Sequence, residues 1–437
     1  MTQKKKLILL ALNEVNLDVV KLYTQRLRLI NFKLIIDKGI LETSSESEYE
    51  KLEPWIQWAS AHTGKTADEH GVFRLGDMVN ADNIPQIFEK VEGMGFDVGC
   101  ISPMNAVNRL VAPSYFVPDP WTDTLPDGSF WSRILSYAIS QAVNDNAKQK
   151  LTAKSIVYLF AGLSRFARPI NAFRYVKLAI GSRGAPWRKA LFLDLFLHDL
   201  HMSLFKNKKP NFSTIFLNAG AHIQHHYFFN SVQKLGENQK NPSWYLEASE
   251  DPMADMFKVY DKILGDFLNL KNVDLILATG LTQKPYDRLK FYYRLKDHEN
   301  FLAQAKIKFI SVFPRMTRDF LVTFANSEDA KKAQEKLESI RHFQNRKTIF
   351  GDIENRGDSL FVTLSYPHEI TETDEITLED GHVKMLPLVV FVAIKNGMHD
   401  GKGFAYFSEG AKKVEFENGA HIKELHNSIS RYFEQVV

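Results

Sequence analysis

Several features that would decide the class of this chain are scarce or missing. Cys100 is the one cysteine among 437 residues, so an internal disulfide is excluded and a reducing, cytoplasmic setting is expected. No apolar run approaches the roughly 18 residues of a membrane span, so we expect no span. The formal net charge of +3 is small for this length, which argues against nucleic acid as a partner. An anionic ligand must therefore be bound by a local group of residues.

The N-terminal segment MTQKKKLILLALNEVN has basic residues followed by the apolar run Leu7–Leu12. This run is too short for the hydrophobic region of a signal peptide, and no small-residue cleavage site follows it. We therefore expect the run to be a first, buried parallel strand.

Apolar runs alternate with helical segments along the chain. This pattern predicts an α/β fold in which a mainly parallel central sheet is covered by helices on both faces. In such sheets ligands bind beyond the carboxyl ends of the strands, so polar residues just after each run are the candidate site residues. The predicted strands are Leu7–Leu12, Phe96–Ser102, Thr214–Asn218, Asp274–Ala278 and Leu388–Ile394.

A helix beginning at Pro54 is predicted within LEPWIQWASAHTGKTADEHG, residues 52–71, because proline suits the first helical position. Its second half resembles the "TG, a few residues, HG" signature of the alkaline phosphatase superfamily, most closely the type I phosphodiesterase and nucleotide pyrophosphatase branch. In that branch a Thr or Ser nucleophile stands at the helix N-terminus, where free N–H groups favour an anionic oxygen. Here Glu53 takes that place, as a candidate general base, nucleophile or metal ligand. The alternative is a plain core helix that Gly64 ends.

The resemblance implies metal ligands after the first and last strands. The first run ends in Asn13-Glu14, where the superfamily has a metal-binding Asp; the Asn13 amide oxygen and the Glu14 carboxylate are both candidates. The last run leads into KNGMHDGKG, residues 395–403, which resembles the terminal motif whose His completes the first metal site. His399 is the candidate ligand there.

Further candidate ligands lie in NAGAHIQHHY, residues 218–227. The segment resembles the one in which an Asp and a His four residues later bind a metal, and two registers compete. The longer match selects His225 and the shorter one His222, and the Asp is missing in both. In a helix, His222, His225 and His226 share one face. Neutral imidazoles suit zinc, iron or nickel better than magnesium, although a lone histidine is usually structural.

The second metal site of the superfamily is not preserved. Its strand ends in Ser-Asp-His-Gly, whereas Asp274–Ala278 is followed by Thr279 and Gly280. We therefore expect at most one divalent metal, zinc or manganese, bound by His225 and His399, and no other cofactor. Arg294 and His298 are candidate substrate-binding residues, with a surface loop as the alternative.

The core is predicted to be interrupted twice, so that residues 1–128, 210–305 and 381–437 form it. Residues 129–209 are helix-rich and basic, and are predicted to be a cap. This cap is either a solvated face or a lid that attracts a phosphate-, sulfate- or carboxylate-bearing substrate. Residues 306–380 show a ββαββ pattern and are predicted to be a ferredoxin-like α+β insertion. It either narrows access to the site or mediates formation of a homodimer.

These residues favour a divergent superfamily enzyme that acts by hydrolysis or group transfer on a small anionic substrate. The substrate class is a phosphoester or an activated sugar of polysaccharide metabolism. A carboxylate at a helix N-terminus has a lowered pKa, which favours ligand, nucleophile or base over proton donor. The alternatives are an inactive pseudo-phosphodiesterase that binds an anion or a protein partner, and a structural component. The candidate catalytic residues are Glu53, Asn13, Glu14 and His222.

Overall fold

The computed structural model describes residues 6–143, 151–234, 239–315 and 318–435. The chain divides into two compact units, of which the first is Met1–Pro285 with Gly397–Val437 and the second is Tyr286–Asn396. Among the described helices, none is long and apolar enough to cross a membrane. The strands are β1 (Leu7–Leu12), β2 (Leu41–Ser44), β3 (Val98–Ile101), β4 (Tyr115–Val117), β5 (Phe212–Leu217), β6 (Asp274–Ala278), β7 (Thr282–Leu295), β8 (Ser311–Pro314), β9 (Asp319–Thr323), β10 (Arg341–His342), β11 (Asp352–Asn355), β12 (Ser359–Thr363), β13 (Glu375–Leu378), β14 (Gly381–Lys384), β15 (Val389–Asp400) and β16 (Lys402–Phe407).

The α-helices are concentrated in the first unit, and only α12 and α13 belong to the second. They are α1 (Leu17–Thr24), α2 (Ile30–Lys38), α3 (Pro54–Thr63), α4 (Ala67–His70), α5 (Ile87–Gly93), α6 (Phe130–Val143), α7 (Ala153–Phe166), α8 (Ala172–Gly181), α9 (Trp187–Lys208), α10 (Ala219–Tyr227), α11 (Pro252–Leu268), α12 (His298–Gln304), α13 (Ser327–Ser339) and α14 (Glu424–Glu434).

The first unit is built on a seven-stranded sheet in the order β2-β16-β6-β1-β5-β3-β4. Strand β1 lies at its centre and pairs in parallel with β5 and β6. Strand β16 pairs antiparallel with both of its neighbours, β6 and β2. The predicted α/β fold with a mainly parallel central sheet is confirmed. The carboxyl ends of β1, β5 and β6 therefore meet at one edge.

Alternation along β1 shows why this strand is central. Ile8, Leu10 and Leu12 enter one hydrophobic cluster with α1, α2, α9 and α11, whereas Leu7 and Leu9 enter another with α3, α5 and α14. Successive strand residues point to opposite faces, so a strand covered on both sides must be apolar throughout. The run LILLAL meets that requirement, and all six of its residues are buried.

The prediction that Leu388–Ile394 is the last strand of the central sheet is wrong. These residues belong largely to β15, which pairs with β7 in a separate two-stranded sheet. The last strand of the central sheet is instead β16. Several side chains of β15 are exposed or half-buried, whereas five of the six residues of β16 are buried. A short apolar run does not by itself distinguish these two environments.

The helical block, residues 129–209, contributes α6 to α9 between β4 and β5. Leu191 and Leu195 on α9 pack in the hydrophobic cluster that covers the sheet, so α9 belongs to the helical layer of the core. Two of the basic residues in the block are held in ion pairs. The Arg168 guanidinium lies 2.7 Å from Asp266, and that of Arg188 lies 2.8 Å from Asp255. These two arginines therefore serve the fold.

The second unit contains a four-stranded sheet in the order β11-β12-β9-β8, with α13 between β9 and β11 in the chain. Asn326 caps α13, because its Oδ1 accepts a hydrogen bond of 2.9 Å from the Asp329 amide. All pairings in this sheet are antiparallel. The ferredoxin-like α+β insertion over residues 306–380 stays a prediction. The second unit, Tyr286–Asn396, contains that range.

Candidate metal centre

Three side chains from distant parts of the chain converge in the first unit. Oε2 of Glu14 lies 3.2 Å from Nε2 of His225 and 3.3 Å from Nε2 of His399. The two imidazole nitrogens lie 3.3 Å from each other. We call Glu14, His225 and His399 the ligand cluster. Within the described residues it is the group of acidic, histidine or cysteine side chains with a geometry able to hold a metal ion.

Glu14 is the second residue after β1 and has an unusual backbone. Its φ of 60° lies in the left-handed region, which residues other than glycine seldom adopt. The conformation is held at both ends, because the Glu14 amide donates to the Thr279 carbonyl at 3.0 Å and its carbonyl accepts from the Gln224 side chain at 2.7 Å. The Gln283 side chain donates to Oε2. This backbone turns the carboxylate into the site at the end of the central strand.

His225 is positioned by α10, which begins at the end of β5. The buried Asp194 carboxylate accepts hydrogen bonds at the start of this helix, from the Ala219 amide at 2.8 Å and the Tyr260 hydroxyl at 2.6 Å. Burial raises the pKa of Asp194 to about 6, although these hydrogen bonds act in the opposite direction. Nδ1 of His225 lies 3.2 Å from the Gly397 carbonyl. Since a carbonyl only accepts, Nδ1 donates and Nε2 of the neutral ring keeps its lone pair.

His399 lies at the end of β15 and has a carboxylate on each side of its ring. Nε2 faces Glu14, whereas Nδ1 lies 3.6 Å from Oε2 of Glu53. Histidine ligands of metals usually direct their second ring nitrogen at a carboxylate or carbonyl, which fixes the tautomer. The Nδ1 atom of His225 has such a partner in the Gly397 carbonyl, and that of His399 faces the Glu53 carboxylate at ion-pair distance. The two Nε2 atoms face the same place, beside Oε2 of Glu14.

The spacing of the ligand cluster suits a tetrahedral ion. An ion with bonds of about 2.0–2.1 Å to nitrogen and oxygen holds its ligand atoms about 3.3–3.4 Å apart. The three distances in the cluster are 3.2, 3.3 and 3.3 Å. Two imidazoles and one carboxylate are also a known donor set of catalytic zinc, which leaves a fourth position for water or substrate. The residues present therefore fit one transition-metal ion.

The charge of Glu14 is set by two opposing effects. Burial raises the pKa of this carboxyl group, but the charge of the facing His399 and His225 rings, when they are protonated, and their hydrogen bonds outweigh burial and hold the pKa well below its usual range. A carboxylate that is 2% exposed needs such a compensating positive charge or strong donors. A cation held between neutral rings would supply the same charge.

The Asn13 amide does not point its oxygen at the ligand cluster. Its Oδ1 accepts a hydrogen bond of 2.8 Å from the indole of Trp58. Its Nδ2 faces Oε1 of Glu14 at 3.1 Å and donates to Oδ1 of Asn218 at 2.8 Å. The sequence-based assignment of the Asn13 oxygen as a metal ligand is therefore not supported. Asn13 instead positions Glu14 and Asn218.

Glu53 lies where the sequence predicts, at the residue before α3, with Pro54 in the first helical position. Its side chain is 32% exposed, so it is reachable by solvent and substrate. It faces the outer nitrogen of His399 and is not one of the three converging ligand atoms. This position disfavours Glu53 as a metal ligand. Its roles as general base and as nucleophile stay predictions. Gly64 ends the helix with a left-handed φ of 72°, as expected of a C-cap.

No model of a protein family and no curated protein matches the chain. Several solved structures are similar to the chain. Phosphonoacetate hydrolase from Sinorhizobium meliloti shares 11% identity over 98% of this chain and 96% of that one, with a TM-score of 0.43. Murine ectonucleotide pyrophosphatase/phosphodiesterase 5 shares 10% over 98% and 95%, with a TM-score of 0.42. Alkaline phosphatase from the Antarctic bacterium TAB5 shares 11% over 99% of both chains, with a TM-score of 0.39.

The likeness to these three structures extends over nearly the whole length of this chain and of each of theirs.

Three other candidate residues are not members of the ligand cluster. His222 is exposed on α10, and its ring centroid is 4.8 Å from that of His226. Arg294 and His298 belong to the second unit, where the His298 ring packs 5.1 Å from that of Phe320. The predicted roles of these three residues, His222 in catalysis and Arg294 and His298 in substrate binding, stay predictions.

Sequence reasoning missed the amide side chains around Glu14. Gln224, Gln283 and Asn218 support the cluster through hydrogen bonds, directly or through Asn13. Asn218 follows β5 directly, and Gln283 lies five residues after β6. Their position after buried strands was a usable signal. A neutral amide is, however, a weaker indicator of a functional site than an imidazole.

Proposed function

We propose that the first unit binds one zinc or manganese ion in the ligand cluster and hydrolyses or transfers the phosphoryl group of a small anionic phosphoester. The observation that carries this proposal is the convergence of Glu14, His225 and His399, whose facing atoms lie 3.2, 3.3 and 3.3 Å apart. This is the spacing that the ligand atoms of one tetrahedral ion have.

The charge balance favours an anionic substrate. One carboxylate and two neutral imidazoles leave a divalent ion with a net positive charge, and its open position attracts an anion. Neutral amides, Asn13 and Asn218, stand beside Glu14 where a second ion would need carboxylates. One metal is therefore the number that these residues support.

Each side chain has a distinct role in this proposal. A bound ion supplies Lewis-acid stabilisation of charge on the phosphoryl oxygens. Glu14, His225 and His399 hold that ion, and Asn13 orients Glu14. Glu53 accepts the proton of the attacking water or alcohol while the ester oxygen leaves with its electron pair. Glu53 suits this role because its side chain is 32% exposed and lies beside the outer nitrogen of His399.

Turnover of bis(p-nitrophenyl) phosphate and p-nitrophenyl phosphate by protein supplemented with zinc or manganese tests the proposal. We expect metal-dependent release of nitrophenol, lowered at least 100-fold by Glu53→Gln and by His399→Ala. Matched controls are Glu50→Gln, an exposed carboxylate three residues before Glu53, and His226→Ala, which removes an imidazole of α10 outside the cluster. Both controls should retain activity.

Two results would contradict the proposal. The first is turnover that is equal in all four variants, which would assign activity elsewhere or to a contaminant. The second is tight binding of zinc and inorganic phosphate without turnover of either ester. That second result would favour the inactive anion-binding protein, for which the missing Thr or Ser at position 53 is the specific observation.

A further inference from the structure

The first unit contains a cavity of about 610 Å³ that the proposed reaction does not use. It lies between helices α6, α7 and α9 and the carboxyl ends of β3 and β5. Pockets for small molecules usually measure roughly 300–1,000 Å³ and are mainly apolar, so this cavity has the size of a ligand site. Its apolar lining includes Ile139, Leu159, Leu163, Phe192, Leu193 and Phe196.

One amide group joins this cavity to the ligand cluster. Asn218 lines the cavity and accepts a hydrogen bond of 2.8 Å from Nδ2 of Asn13. The same Nδ2 lies 3.1 Å from Oε1 of Glu14. A second link runs along α10, where His222 lines the cavity and His225, three residues later on the same helix face, belongs to the cluster. The cavity therefore begins beside the proposed metal centre.

The lining is mainly apolar and has a few polar side chains. Ser102 and Asn218 directly follow β3 and β5, at the sheet edge that also bears Glu14. The helices contribute mostly aliphatic and aromatic side chains, together with Lys189 and Asp194 of α9. The Asp194 carboxylate already accepts hydrogen bonds from the Ala219 amide and the Tyr260 hydroxyl. The predominance of apolar side chains thus suits hydrocarbon.

We propose that this cavity holds the alkyl or isoprenyl chain of a substrate whose phosphate lies at the ligand cluster. The position of the phosphate rests on the proposed function, whereas the apolar site rests on the cavity alone. The substrate class is then an amphiphilic phosphoester and not a free sugar phosphate. Burial of methylene groups in the cavity supplies binding free energy that a short phosphoester lacks.

Calorimetric titration of the full-length, zinc-supplemented protein with methyl phosphate, octyl phosphate and 1-octanol tests this inference. We expect octyl phosphate to bind at least 100-fold more tightly than methyl phosphate. Ala190→Trp on α9 and Ala142→Trp on α6 each place an indole in the lining and should abolish that preference. Ala179→Trp, the same substitution at an exposed site on α8, should retain it. Circular dichroism checks that each variant is folded.

Comparison of the three ligands and the variants tests the apolar site and the proposed function separately. His399→Ala should weaken binding of both phosphates and leave binding of 1-octanol unchanged. Equal affinity for the two phosphates, or a preference that survives both Ala190→Trp and Ala142→Trp, overturns the inference. Binding of 1-octanol that Ala190→Trp blocks, without any zinc-dependent binding of phosphate, supports the apolar site and overturns the proposed function instead.

Discussion

The indole N–H of Trp58 donates to Oδ1 of Asn13 over 2.8 Å. Because an indole N–H can only donate, this bond fixes the orientation of the Asn13 amide. The NH₂ group must then face Glu14 and Asn218, both of which accept. Trp58 of α3 thereby decides which atom of Asn13 faces the ligand cluster.

Trp58→Phe is expected to weaken zinc binding about 10-fold and to lower the free energy of unfolding by about 1–3 kcal/mol. The reason is that Oδ1 of the buried Asn13 loses its donor, and outer partners of metal ligands typically contribute 10- to 100-fold to affinity. Zinc titration and chemical denaturation measure the two effects. Trp55→Phe in the same helix is the control, because the Trp55 indole bonds only the Phe73 carbonyl, near the surface. Equal zinc affinities in the two variants would exclude this role for Trp58.

Purified protein is expected to bind one zinc ion per chain and to lose it in His225→Ala, His399→Ala and Glu14→Gln. Each substitution removes one of three ligands, so binding falls by far more than it does for an outer partner. Elemental analysis after dialysis against a weak chelator gives the stoichiometry. His226→Ala should keep the ion. Retention of the ion in His399→Ala would place the metal outside the ligand cluster.

His201→Gln is expected to make the protein less sensitive to acid. Burial lowers the pKa of His201 to about 3, so the folded protein keeps this ring neutral while the unfolded chain protonates it below pH 6.5. The contribution of the neutral ring to the free energy of unfolding is therefore complete above pH 6.5. Below that pH the contribution falls by about 1.4 kcal/mol per pH unit. The substitution should remove that slope between pH 4 and pH 6.

Denaturation followed by tryptophan fluorescence measures this slope for the first unit, because all six tryptophans lie before residue 286. His62→Gln gives an independent repeat, since burial lowers the pKa of His62 to about 3 as well. If neither variant alters the pH dependence of unfolding, these two rings do not govern the response to acid.

Gly64→Ala is expected to destabilise the first unit more than Gly71→Ala. Both glycines end a helix with a left-handed backbone, at φ of 72° and 67°, which costs other residues about 1–2 kcal/mol. At Gly64 an added Cβ would also lie 3.0 Å from the His426 ring, whereas at Gly71 no heavy atom lies within 4 Å. Thermal unfolding compares the variants directly. Equal decreases in melting temperature for the two variants would show that the His426 ring moves aside freely.

The same two glycines show how sequence motifs and physical roles relate. In HTGKTADEHG they carried the resemblance to the superfamily, and in the structure they are the C-caps of α3 and α4. The helix start at Pro54 and the central strand Leu7–Leu12 were predictable for similarly local reasons. Such features depend on a few neighbouring residues, so the sequence expresses them directly.

Features that depend on distant partners were harder to predict. The sequence indicated Glu14, His225 and His399 separately, because each follows or lies near a predicted strand. It could not show that the Asn13 oxygen is taken by Trp58, since 45 residues separate the pair. It also misplaced the last strand of the core, because the first half of β15 and most of β16 are both apolar and differ mainly in what covers them.

The ligand cluster draws its members from three distant parts of the chain, at positions 14, 225 and 399. The side chains meet only when the strands and helices that bear them have packed around the central sheet. A fragment that stops short of His399 therefore lacks one of the three side chains, and no local segment can form the cluster by itself.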